Sequence, residues 1–181
     1  MDNKAFKALF QPLRTPIHST SMELKFIENW LETQSKDISN GVDLTPDFQR
    51  GHVWSQDQQI HFVYNLLRGG LDQSVLTLRF NCPSWRLDHV ADSDLLDQMV
   101  ILDGLQRLTS LRTFVAGGFL VNGVAFCDLP LAVKRSHITV QMYDFQYRKE
   151  LLQFYLDLNG GGIAHSQSEL DRVRALLEDA R

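Results

Sequence analysis

Residues 99–111 read Met99-Val100-Ile101-Leu102-Asp103-Gly104-Leu105-Gln106-Arg107-Leu108-Thr109-Ser110-Leu111, and they decide the architecture. Four apolar residues in a row are too few for a helix and predict a buried strand. Leu105, Leu108, Leu111 and Val115 then recur at helical spacing, and Gly117-Gly118 stops the pattern. Asp103 and Gln106 have the spacing of a capping box at the strand-to-helix junction. A box leaves Gly104 and Arg107 without a reason. Alanine would favour the helix by about 1 kcal/mol over glycine, and a first-turn arginine opposes the helix dipole. Both residues would serve a phosphate, glycine by permitting close approach and arginine as a bidentate cation beside exposed N–H groups.

Outward from this junction, strand and helix patterns alternate. Residues 1–18, broken by Pro12 and Pro16, are expected to form an irregular arm, and 19–181 a single domain. Thr20 and Glu23 predict a helix start near Thr20, with Leu24, Ile27 and Leu31 inward. Residues 37–50 are polar and turn-rich. Ser55 and Gln58 cap a helix whose predicted face is Ile60, Val63, Tyr64 and Leu67, ended by Gly69-Gly70. Leu76, Leu78 and Phe80 alternate as in a strand, and so do Ile138, Val140 and Met142. Between them, Asn122-Gly123 marks a tight hairpin. Two helices close the chain, one facing inward with Leu151, Phe154, Tyr155 and Leu158. The other begins at a Ser166/Glu169 box and carries Leu170, Val173 and Leu177. The expected fold is α+β, a small mixed sheet flanked by helices.

The 181 residues carry 18 Lys and Arg against 22 Asp and Glu, a formal charge of -4. That balance disfavours a protein that wraps duplex DNA by charge alone, while leaving room for a local arginine site. Cys82 and Cys127 lie far apart, outside any C-x-x-C pattern, and read as reduced thiols. No apolar run is long enough to span a bilayer, so a cytoplasmic protein without a membrane partner is expected.

Two further polar segments accompany the junction. Gln49-Arg50 precedes Gly51-His52-Val53-Trp54, where Phe48, Val53 and Trp54 are expected to anchor the loop and give Arg50 a direction. A solvated surface arginine is the alternative there. Asn159-Gly160-Gly161-Gly162 follows a helix as a plain stop or as a source of free N–H groups for an anion. A Walker loop, a G-x-S-x-G elbow and H-E-x-x-H are all missing from the sequence. Asp88, Asp92, Asp94 and Asp97 read as a solvated loop, and His52 is the one histidine beside a polar motif.

In order, Pro46-Asp47-Phe48-Gln49-Arg50 with Val53-Trp54, Ile101 to Leu111, and Phe154 to Asn159 with Glu169-Leu170 resemble the N-terminal domain of GmrSD-type restriction systems. The resemblance runs from about residue 20 to 175 and implies a fold similar to ParB and sulfiredoxin. The family's DGQQR motif aligns with Asp103 to Arg107, with Leu105 in place of its first glutamine. By motif position, the resemblance implies nucleotide or phosphate binding by Gln49, Arg50, Gly104, Arg107 and Asn159. Catalytic roles would fall to Asp103, Gln106 and Arg107, with Asp103 also the metal ligand.

The implied cofactor is an NTP of unknown base, with Mg²⁺ as its companion ion. The implied setting is DNA restriction or defence, with DNA and a separate nuclease subunit as partners. Relatives that cut DNA carry a nuclease domain after this one, and none is expected within this chain. Leu105 leaves NTP hydrolysis open. A regulatory or DNA-binding module without turnover, encoded by a phage or mobile element, is the competing expectation.

Overall fold

In the computed structural model, residues 1–85, 93–159 and 167–180 are described, except the side chains of Ala8 and residues 167–169. In chain order the elements are α1 (Asn3–Phe10), β1 (His18–Glu23), α2 (Ile27–Asp37), β2 (Val42–Asp43), α3 (Gln56–Leu67), β3 (Thr77–Asn81) and β4 (Met99–Asp103). They continue with α4 (Leu105–Val115), α5 (Leu131–Lys134), β5 (His137–Tyr143), α6 (Arg148–Asn159) and α7 (Gln167–Asp179). The strands form one five-stranded mixed sheet in the order β1-β5-β3-β4-β2. β1 and β5 are antiparallel, as are β3 and β4, whereas β5–β3 and β4–β2 are parallel.

Strand alternation sorts the core into two layers. Met99 and Ile101 of β4, Leu78 and Phe80 of β3, and Ile138, Val140 and Met142 of β5 pack under α2, α3 and α4. Leu102 and Tyr143, with Val100 beside them, face the other way into a second cluster with Phe154 and Tyr155 of α6 and Val173 of α7. The run Met99 to Leu102 is therefore apolar throughout because both sheet faces are covered at β4.

Several sequence expectations hold in detail. Ser55 and Gln58 form the full capping box at α3. Asn122 (φ 50°) and Gly123 (φ 77°) make the tight turn between Val121 and Val124. Others are corrected. Residues 18–23 form β1 rather than a helix start; Thr20 opposes Val140, and α2 begins only at Ile27, after a 3-10 turn over Leu24–Phe26. Pairing with β5 overrides the local capping spacing.

The N-terminal arm contains a helix, α1, whose first turn is capped by Asp2. The polar stretch 37–50 supplies the short β2. On α3 Val63 is buried as expected and Ile60 and Leu67 pack partly buried on the core, but Phe62 and Leu66 complete the buried face and Tyr64 is exposed. Trp54, packed 5.5 Å from the Phe62 ring, is part of what turns the helix to that face. The Ser166/Glu169 box and the Gly160–Gly162 segment lie outside the described residues. Among the described residues no helix is long and apolar enough to cross a membrane.

Candidate functional site

The site is built around the end of β4. Asp103 is its last residue, and Gly104 caps α4 with a left-handed backbone, φ 101°. A Cβ at Gly104 would sit 2.6 Å from Leu78 Cδ2, so both the dihedral angle and the close approach to β3 require glycine. No side chain caps α4. The expected Asp103/Gln106 box is absent because α4 starts one residue later, with Gly104 at the N-cap, and both side chains bond elsewhere.

Arg79 Nη1 donates to Asp103 Oδ2 at 2.7 Å, and Arg107 Nη2 donates to Asp103 Oδ1 at 2.8 Å. All three side chains are largely buried. Arg107 thus folds back one turn, and its Nη1 donates to the Val75 carbonyl oxygen. The Asp103 carboxylate offsets the unfavourable position of Arg107 near the helix N-terminus. Gln106 ties down a loop. Its Oε1 accepts from Val53 N at 2.9 Å and Trp54 N at 3.1 Å, and its Nε2 donates to the Gly51 carbonyl oxygen at 3.0 Å.

From the other segments, Gln49 Nε2 donates to the carbonyl oxygens of Leu102 (2.9 Å) and Ile101 (3.2 Å). The Gln49 carbonyl oxygen accepts from Arg172 Nη2 of α7 at 3.0 Å. Phe48 is buried, edge-on to Tyr155 with ring centroids 5.1 Å apart, and fixes the chain just before Arg50. Asn159 ends α6 with its Nδ2 donating to the Tyr155 carbonyl oxygen at 2.7 Å. A cleft of about 410 Å³ opens between these parts. Every site residue expected from sequence lines it: Gln49, Arg50, Asp103, Gly104, Gln106, Arg107 and Asn159, together with Trp54, Ser74, Val75, Leu102 and Leu105.

One expectation about the loop fails. Val53 is 54% exposed and anchors nothing. His52 sits outside the cleft, against Gln59 Nε2 at 3.1 Å. Asp103 also does not fit the role of a resident metal ligand. Both of its oxygens face guanidinium groups, and among the described residues no group of three or more His, Cys, Asp or Glu side chains could hold a metal ion. Arg79 is the residue that sequence reasoning missed. Its only signal was an arginine between the alternating apolar residues Leu78 and Phe80. The register shift between Arg79 and Phe80 brings Arg79 opposite Asp103. Burial pushes the neighbouring Tyr143 phenol up, against the pull of the Arg79 guanidinium, so it stays protonated and neutral at physiological pH.

A model of the GmrSD restriction endonuclease N-terminal domain family matches residues 27–174. The chain belongs to this family. No curated protein and no solved structure matches it. Membership gives the GmrSD-type domain its biological context, that of restriction systems and defence. The Leu105 side chain is 6% exposed and packs into the core layer under α4, so leucine here serves the core.

Proposed function

We propose that the cleft binds the phosphates of a nucleotide, and that the domain uses this binding to regulate a DNA restriction activity. The observation that carries the reading is the diverted cap. Asp103, one residue before the glycine N-cap, is held by Arg79 and Arg107, and the first turn lines the cleft without a side-chain cap. Uncapped N–H groups, the helix dipole and two lining arginines, Arg50 and Arg107, converge on one space. Phosphate oxygens match that donor set, and the half-buried Trp54 on the same wall offers an aromatic surface to a base.

Binding without turnover is the form of this reading that the geometry favours. Both oxygens of Asp103 and the whole amide of Gln106 are already engaged, so neither is poised to orient a water. Mg²⁺ would enter with the nucleotide, on its phosphates. On this reading DNA cleavage falls to a separate nuclease subunit, and direct DNA binding is the competing role. Calorimetric titration of nucleoside triphosphates, with and without Mg²⁺, tests the proposal. Saturable binding is expected, weakened by about 10-fold or more in Arg107→Ala, as expected for a lost charge-assisted hydrogen bond. Binding of no nucleotide, or undiminished binding by Arg107→Ala, overturns it. Salt-sensitive binding of DNA alone would favour the competing role.

A further inference from the structure

β1 is the outer strand on the β5 side of the sheet, and residues His18 to Ser21 are exposed. The phase of its hydrogen bonds follows from its continuation. Leu24 N donates to the Ser136 carbonyl oxygen at 2.9 Å, in the register that pairs Met22 with Ile138 and Thr20 with Val140. His18, Thr20 and Met22 therefore turn their N–H and C=O groups toward β5, and Ser19, Ser21 and Glu23 turn theirs outward. Thr139 N, which donates to the Leu76 carbonyl oxygen on the far side of β5, has the matching phase. Among the described residues no strand pairs with this edge, and its six residues include no lysine or proline, the residues that usually block edge pairing.

We propose that this edge pairs with the same edge of a second copy of the chain, antiparallel about a two-fold axis at Ser21. That register engages all three outward residues. Ser19 falls opposite Glu23 of the second copy and Ser21 opposite its own counterpart, each pair exchanging two hydrogen bonds. A shift toward the N-terminus would call on Ile17, whose N–H already donates to the Met142 carbonyl oxygen at 2.9 Å. A shift the other way would call on Lys25, inside the 3-10 turn.

Side chains match in the same register. On the α2 face Thr20 meets Met22 of the second copy, beside Phe26 and Trp30, which line an open groove of about 580 Å³ along the edge. Phe26 is 48% exposed there and would be covered by the second copy. On the other face the pairs are polar. Glu23, the one acid of the strand, meets a serine hydroxyl rather than another Glu23, so like charges are kept apart. This self-match of hydrogen bonds, shape and charge selects a second copy over an unrelated peptide.

Sedimentation of the full chain at micromolar concentrations tests the pairing. The wild type is expected to dimerise. Ser21→Pro is expected to weaken the dimer by about 10-fold or more with an unchanged circular dichroism spectrum, because the lost N–H faces outward. Crosslinking gives a second readout in a Cys127→Ser background, which removes the exposed thiol and leaves buried Cys82. Ser21→Cys is expected to form a covalent dimer on mild oxidation. Ser19→Cys is not, because its counterpart lies about 13 Å away along the strand. A monomeric wild type, a dimer that persists in Ser21→Pro, or equal crosslinking at positions 19 and 21 overturns the proposal. A peptide or another protein as the natural occupant of this edge would give the monomeric result.

Discussion

Helices α3 and α4 begin with the same sequence device and use it differently. At α3, Ser55 and Gln58 satisfy each other's backbone N–H groups and close the helix start. At α4, Asp103 and Gln106 have equivalent chemistry one helix further along. Asp103 is drawn to two arginines, and Gln106 reaches 53 residues back to hold Val53. The closed start is a structural stop. The open one faces a cleft. A capping residue that is present in sequence but withheld in space marks where the fold keeps a helix end available.

Gly104→Ala should break the open start most severely, through its left-handed backbone and the 2.6 Å approach to Leu78. A loss of roughly 3 kcal/mol is expected from combined backbone strain and overpacking, read by chemical denaturation. Wild-type stability would mean the left-handed start is dispensable. Gln106→Ala removes three hydrogen bonds to the 51–54 loop and should cost about 1–2 kcal/mol. A shift in Trp54 fluorescence and weaker nucleotide binding should accompany it, whereas an unmoved Trp54 signal would show that the loop holds itself. Ser55→Ala should have the smallest effect, about 1 kcal/mol from the lost cap. Its nucleotide affinity should stay unchanged, and a parallel loss of binding would erase the contrast between the two helix starts.

Much of this arrangement was legible in residue order. Periodicity located β4, α4, α6 and β5, and the misfit of Gly104 and Arg107 with a plain cap pointed to the cleft. The errors have physical causes. Thr20 and Glu23 mimic a capping box, but a partner strand more than a hundred residues away claims them. The spacing of Asp103 and Gln106 was real, while their partners were invisible. Arg79, Gly51, Val53 and Trp54 converge on them only through tertiary packing. Arg79 went unnoticed because a single arginine in a strand carries no motif. The helix of the arm was hidden by the prolines that follow it, and Asp2 starts it locally.

The Gln106 tie has a consequence for the order of folding. Its three hydrogen bonds join loop and helix across more than fifty residues of intervening chain, which includes all of α3 and β3. Closing so long a loop carries an entropic cost that is recovered only when the sheet and both helices are in place. α3 can start on its own local box. The floor of the cleft cannot form ahead of the global fold, so ligand binding reports on the chain as a whole and should be lost in any partly folded form.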